Sequence, residues 1–371
     1  MSYLVAGLIA PLAAHAVTVT TVYEFKGGTD ASVPNGTLLY EAGMLYGVSL
    51  RGGAAGNGTV FSVNAATGAE QVLYSFKGGT DGAAPYGALI FLGGKLYGTT
   101  SLGGANGDGT VFSVNIKTGA ETLLHSFAGS PDGKQPVAGL SYHNGMLYGT
   151  TQLGGQSPNG GFGTVFAINP TTGSEQVLYS FFQDGFYPES PVTPLNGSLY
   201  GTTISSFSGV QAGTVYKLDL ATNAETTVYD FTGKLDGAAP VGGLIYTNGL
   251  LYGTTSCLGH SCQTGVYGTV FDINPGTNVL TTLHDFNGLY DGTAPITRLL
   301  AYEHTILGIS SGTAEGASGT GTVDATLFAV PEAYAGLVTL YTFPGNLSTG
   351  LRYDNGAFYG TTSGAVFKLT L

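Results

Sequence analysis

The sequence predicts an all-β fold, a seven-bladed β-propeller with four antiparallel strands per blade. Three observations predict it. The string Leu-Tyr-Gly-Thr-Thr or a close variant recurs seven times, centred on Tyr46, Tyr97, Tyr148, Tyr200, Tyr252, Leu307 and Tyr359. Each recurrence carries four short runs rich in Val, Leu, Tyr, Phe and Thr, set apart by Gly, Asn and Asp, which is the pattern of strands and turns. No apolar period of 3.6 runs through the chain, so helices are not expected. Four strands per unit of about 50 residues, closed into a ring, is a propeller.

Strand A is a short apolar run such as Ala88–Phe91 or Gly243–Tyr246. Strand B is the Leu-Tyr-Gly-Thr-Thr segment, as in Leu96–Thr100. Strand C is Gly-Thr-Val-Phe, at Gly58–Phe61, Gly109–Phe112, Gly163–Phe166, Gly213–Tyr216, Gly268–Phe271 and Gly364–Phe367, with a degenerate copy ending at Phe328. Strand D is the Leu-Tyr-Ser-Phe type, ending at Phe25, Phe76, Phe127, Phe181, Phe231, Phe286 and Phe343. Both faces of strand C are largely apolar, as expected where a blade is packed on each side. The chain ends after a strand C, and residues 17–25 are a strand D with nothing before them. The N-terminal strand is therefore expected to complete the last blade, pairing within 345–371, so that residues 17–371 form one ring without an open seam.

Residues 1–16 read as a signal peptide. Leu4–Ala14 is an unbroken apolar run, too short to span a bilayer, and Ala14-His15-Ala16 is an A-x-A cleavage pattern. Lys26 is the first basic residue, so a charged leader region would need a start upstream. The alternative is a buried first strand. An exported location, periplasmic or extracellular, is the expectation.

Composition narrows function by exclusion. Only 9% of residues are charged, Trp is absent, and the 62 glycines lack a period of three. These exclude a coiled coil and a collagen. A net charge of −12 is wrong for phosphate backbones, so no nucleic-acid partner is expected. No membrane span and no oligomer are expected.

The repeat Y-x-F-x-G-G-x-D-G-x-x-P, followed by L-Y-G-T-T and G-T-V-F and cleanest over Leu73–Leu123, resembles the GloVer tandem repeat of "choice-of-anchor" proteins. The resemblance covers about residues 20–371. It implies an exported, surface or periplasmic bacterial repeat protein and supplies no catalytic residues. Members often carry a C-terminal sorting anchor, whereas Phe367–Leu371 reads as a strand.

Candidate chemistry is weighed by repeat logic: what recurs builds the unit, and what occurs once is free to serve a ligand. Asp30, Asp81, Asp132, Asp184, Asp236 and Asp291 precede successive A strands. On one face they would form a carboxylate ring suited to calcium. The structural reading, an Asx-type turn before Gly, is preferred, and no cofactor is expected. Cys257 and Cys262 flank His260 in Cys-Leu-Gly-His-Ser-Cys; a disulfide is expected over a metal site, because a second ligand cluster is missing. His125 and His284 replace the Tyr of strand D, while His143 and His304 sit in A-to-B turns. The glycine-rich B-to-C loops lack the lysine and helix of a phosphate loop. Asn35 and Asn57 sit in Asn-Gly-Thr, a weak glycosylation signal shared with turns.

The B-to-C loops of units three to five depart most from the repeat. They carry Phe162, Phe207, His260 and Tyr267, and Phe186 and Tyr187 follow the Asp of unit four. These aromatics would stack on a sugar or anchor a peptide, or else pack on their own blades. Gly312–Ala325 is expected to be a mobile loop. The leading expectation is a non-catalytic binding or interaction module for carbohydrate or protein. Two alternatives stand beside it: a lyase or glycoside hydrolase using the Asp ring, and a purely structural surface protein.

Overall fold

The computed structural model describes residues 17–156, 161–182, 185–206, 212–257, 267–288, 291–311, 325–332, 336–343, 347 and 349–371. They form seven four-stranded antiparallel sheets. In six sheets the strands follow chain order. In the seventh, Thr18–Glu24 pairs with Ala365–Thr370, which continues to Ala357–Thr361 and Arg352–Asp354. The ring is thus closed by a strand from the N-terminal side of the chain, and Ala365–Thr370 is left without a free edge.

The recurring motifs are explained by what each residue touches. Strand C is buried over nearly its whole length, as at Thr110–Asn115. Its aromatic residue packs against the strand D Phe of the preceding blade, edge-on in Phe25–Phe61, Phe76–Phe112, Phe127–Phe166, Phe181–Tyr216, Phe231–Phe271 and Phe286–Phe328 and tilted in Phe343–Phe367. Ring centroids lie 5.0 to 5.2 Å apart all round the ring. Edge-to-face packing of this kind adds to the area burial that holds blade to blade. The Gly of strand B makes room for that Phe: a Cβ on Gly98 would lie 2.8 Å from both Phe112 Cζ and Leu89 Cδ2. The buried threonines of strands B and C satisfy one another, with Thr100 and Thr110 Oγ1 atoms 2.7 Å apart and Thr151 and Thr164 2.8 Å apart.

The A strands form the innermost ring. They run Ala31–Glu41, Ala83–Leu92, Ser141–His143, Thr193–Leu195, Ile245–Thr247, Leu300–Tyr302 and Arg352–Asp354. The first two are long and the rest are three residues. Blade 4 carries Pro188, Pro191 and Pro194 here, which remove ladder donors. Neighbouring inner segments touch. A Cβ on Gly87, which has φ +77°, would collide with Gly139, and one on Gly242 would lie 2.7 Å from the Thr297 carbonyl. Thr193 Oγ1 donates to Leu244 O at 2.6 Å across blades 4 and 5. Small residues are therefore what lets seven strands converge on one axis.

Candidate functional site

Every described Asp of the repeat is bonded within its own turn. Asp30 accepts from Tyr23 Oη at 2.9 Å and from the amides of Lys26 and Ala31 at 2.7 and 2.6 Å. Asp81 accepts from Tyr74 Oη at 2.5 Å and from Lys77 N at 2.7 Å. Asp132 lies 3.0 Å from His125 Nε2 and accepts from Ala128 N at 3.0 Å. Asp236 accepts from Tyr229 Oη at 3.1 Å, and from Thr232 through its amide at 2.8 Å and its hydroxyl at 2.6 Å. Asp291 lies 2.8 Å from His284 Nε2 and accepts from the amides of Asn287 and Gly288, each at 3.2 Å. The partners are always the aromatic seven residues earlier and the amide four residues earlier. His125 and His284 thus stand in for Tyr as ring partners of the turn. Asp184 lies outside the described residues.

The acids that stand out are ones the repeat motifs pass over. Burial and the neighbouring Asp30 push the Glu70 carboxyl up to about 7, burial being the larger cause. Glu121 beside Asp81 and Glu175 beside Asp132 are pushed up to about 7 in the same way. The Oε1 atom of each Glu, and Asp132 Oδ1, is buried without a hydrogen-bond partner. A carboxyl that keeps its proton at one of these positions is favoured, because two facing carboxylates repel. Each pair sits between blades, where the C-to-D turn of one blade nests on strand D of the preceding one. There, a Cβ on Gly119 would lie 2.6 Å from Leu73 O.

His125, Asp132 and Glu175 bring ligand atoms within 4.8 Å of one another, and they are the residues best placed to hold a divalent cation. Tyr74, Asp81 and Glu121 occupy the same places one unit earlier, so the cluster is a variant of the unit's own interblade contact.

The loop aromatics divide. Phe162, Phe186 and Tyr187 come together, with centroid separations of 4.3 Å for Phe162–Phe186 and 6.1 Å for Phe162–Tyr187. Tyr187 N donates to Phe162 O at 2.9 Å, and Phe186 is buried. This trio ties the B-to-C loop of blade 3 to the approach to blade 4. Tyr267 is 39% exposed, with its carbonyl accepting from Ala294 N at 2.8 Å. Phe207, His260, Cys262 and most of Gly312–Ala325 lie outside the described residues, as do residues 1–16, so the Cys257–Cys262 pairing, the mobile loop and the leader fall there too. Among the described residues no helix is long and apolar enough to cross a membrane.

Three solved structures share the propeller fold. BamB from Moraxella catarrhalis is 14% identical with a TM-score of 0.54, over 96% of this chain and 99% of that one. An oligogalacturonate lyase in complex with manganese is 11% identical with a TM-score of 0.58, over 96% and 97%. A chain of the Mitotic Checkpoint Complex is 13% identical with a TM-score of 0.56, over 95% and 94%. No curated protein sequence matches. The family model of the Gloeobacter/Verrucomicrobia repeat matches residues 5–209 and 182–370, and the chain belongs to that family.

Proposed function

We propose that the chain is an exported, non-catalytic binding module whose ligand, a carbohydrate or a protein, is held on the face that carries the B-to-C loops. The observation that supports this reading is the fate of the acids. The described Asp carboxylates of the repeat turns are engaged by those turns, and the Glu70, Glu121 and Glu175 carboxyls, pushed up to about 7, each lie between blades. A glycosidase or lyase needs an acid and a base converging on substrate. The loops of blades 3 to 5 differ from their counterparts and from one another, as loops that serve a partner do. In an oxidising compartment Cys257 and Cys262 would close the blade 5 loop through a disulfide.

The test is a thermal melt of the purified chain against a panel of oligosaccharides, with mass spectrometry of the sugars afterwards. A ligand that binds only the native state raises the midpoint with the logarithm of its concentration. The expected result is a rise with one saccharide class, lost when Gln152–Phe162 is replaced by the matching blade 2 loop, with the sugars recovered intact. Cleaved or eliminated products would overturn the non-catalytic reading. A rise that survives the loop exchange would move the site off this face.

A further inference from the structure

Among the described residues, five junctions between blades carry the same lock on the loop face. The Gly that opens strand C is buried and left-handed, and the proline that leads the next blade's inner segment lies over it. The pairs are Gly58–Pro85, Gly109–Pro136, Gly163–Pro188, Gly213–Pro240 and Gly268–Pro295. In each, a Cβ on the glycine would lie 2.5 to 2.7 Å from proline Cδ. The residue before the proline has a positive φ, and its amide donates to the carbonyl before the glycine. Ala84 N reaches Asn57 O at 2.9 Å and Gln135 N reaches Asp108 O at 2.8 Å. The same bond recurs from Tyr187, Ala239 and Ala294. Each lock joins close packing to a satisfied backbone donor.

At the junction of blades 7 and 1 one side of the lock is missing. Val33 and Pro34 are in place, with Val33 at φ +57°. Blade 7 does not meet them. Its link from strand B to strand C is the tight turn Thr362–Gly364, with Thr362 N donating to Ala365 O at 2.9 Å, where blade 2 has Gly103–Gly109. Gly364 is exposed and not left-handed, and a Cβ there would meet nothing within 4 Å. Among the described residues the Val33 amide has no backbone acceptor in blade 7, and Val33 is 38% exposed. A β-branched residue at positive φ is strained and persists where its neighbours hold it. The other junctions hold theirs by the bond that is absent here. The junction of blades 6 and 7 also lacks the proline, but Leu347 stands in its place, buried in one apolar cluster with Phe343, Leu351 and Phe367.

The same junction is the one the chain does not cross. In blades 1 to 6 strand D follows strand C through a turn and then leads into the next blade. In blade 7, Ala365–Thr370 is joined to Thr18–Glu24 by pairing alone. Thr18–Glu24 runs on into blade 1, where Phe25 packs on Phe61 at 5.0 Å. Parting blades 7 and 1 therefore breaks one strand pairing and no loop has to stretch.

We propose that the ring opens at the junction of blades 7 and 1. The pairing of Thr18–Glu24 with Ala365–Thr370 parts from the loop face inward. The strands Arg352–Asp354, Ala357–Thr361 and Ala365–Thr370 swing out as one unit on blade 6, while the other blades stay closed. Opening bares the buried cluster that contains Leu38, Phe61, Tyr359 and Val366. Proteins open in cooperative units of this kind rather than evenly. The device goes beyond the binding function proposed above and does not depend on it.

The test is hydrogen exchange read by mass spectrometry on the full chain. Peptides from Ala357–Thr361 and Ala365–Thr370 are expected to be about tenfold less protected than Lys95–Leu102 and Thr110–Asn115 of blade 2, the loss that one backbone hydrogen bond and its packing imply. Thr20 faces Lys368 across the closing pair, so T20C/K368C in a C257A/C262A background can tie the junction. Its oxidised form is expected to regain the protection of blade 2 in both peptides, and its reduced form to lose it. If the cystine does not form, inserting the blade 2 segment Leu102–Asp108 between Ser363 and Gly364 supplies the missing loop and should restore protection in the same way. Equal protection in blades 7 and 2 would overturn the proposal. So would a loss confined to Thr18–Glu24, which is the fraying of one strand on an intact ring, or a loss that the oxidised cystine leaves in place.

Discussion

Replacing Glu70 and Glu121 together by Gln should raise the melting temperature at pH 8 by about 2–3 °C and leave it unchanged at pH 5. These two sites are chosen because their third member is Tyr, whereas the Glu175 site contains the imidazole of His125. Each carboxyl is held at about 7 in the folded chain, against 4.5 for an unhindered glutamate, first by burial and then by Asp30 or Asp81. Below pH 4.5 both folded and unfolded chains carry the proton, and the pair contributes in full. Between 4.5 and 7 the folded chain retains protons that the unfolded chain has released, so stability falls as pH rises. Above about 8 the proton is gone from both, and only the repulsion remains.

For a fully enclosed group that difference is worth about 3.4 kcal/mol per site. Both side chains keep access to water, and screening reduces the figure to about 1 kcal/mol each, about 2 kcal/mol for the pair. A chain of 371 residues has an unfolding entropy of about 0.8 kcal/mol per kelvin, which gives the 2–3 °C. Gln replaces the titrating proton with a permanent N–H donor, so it should match protonated Glu at pH 5 and outperform ionised Glu at pH 8. The assay is a set of melts of wild type and E70Q/E121Q from pH 5 to pH 8.5. Parallel curves, or a variant less stable at pH 8, would refute the account in which burial and the neighbouring Asp keep the Glu proton in place.

Further outcomes follow from the packing and the ring closure. F112A removes a fully buried ring that meets Phe76 at 5.0 Å and should cost about 3–5 kcal/mol, read as a melting point lower by several degrees. G98A puts a Cβ 2.8 Å from Phe112 Cζ and Leu89 Cδ2 and should cost about 1–3 kcal/mol by overpacking, with circular dichroism unchanged. Deleting Thr18–Glu24 bares the edge of Ala365–Thr370 and should produce self-association on size exclusion at micromolar concentration. EDTA, and then zinc or manganese, should leave the melting point of wild type within about 1 °C; a zinc-dependent rise lost in H125Y would instead assign a metal to His125, Asp132 and Glu175.

The ring was legible because its determinants recur at one register. Phe76 and Phe112 announce an interblade contact only because five more units place the same residues at the same spacing. The acids were less legible. Glu70, Glu121, Glu175 and Glu225 each stand six residues before the strand D Phe, but they follow a turn and read as surface charge. Their burial comes from the preceding blade, which no local pattern encodes. Phe162 and Phe186 read as a stacking platform in sequence, and the fold brings them together, packed on each other at a tilt.

At the Glu position the other blades carry Val19, Leu280 and Leu337, and all three pack against interblade core clusters. An apolar residue therefore satisfies the fold here, and the acid is not needed for closure. Replacing a paired, partly desolvated acid by a well-packed apolar group is commonly neutral or stabilising. The ring thus carries two kinds of interface, acid-bearing ones from blade 7/1 through 3/4 and apolar ones at the other three. Above pH 7 the Glu70, Glu121 and Glu175 carboxyls lose their protons, so alkaline loosening should be confined to that side of the ring. Limited proteolysis at pH 8.5 should cut the C-to-D turns at Ala65–Ala69 and Ile116–Ala120 before those at Pro275–Asn278, and the order should disappear in E70Q/E121Q. Cuts spread evenly around the ring would mean that the pairs are electrostatically present but mechanically silent.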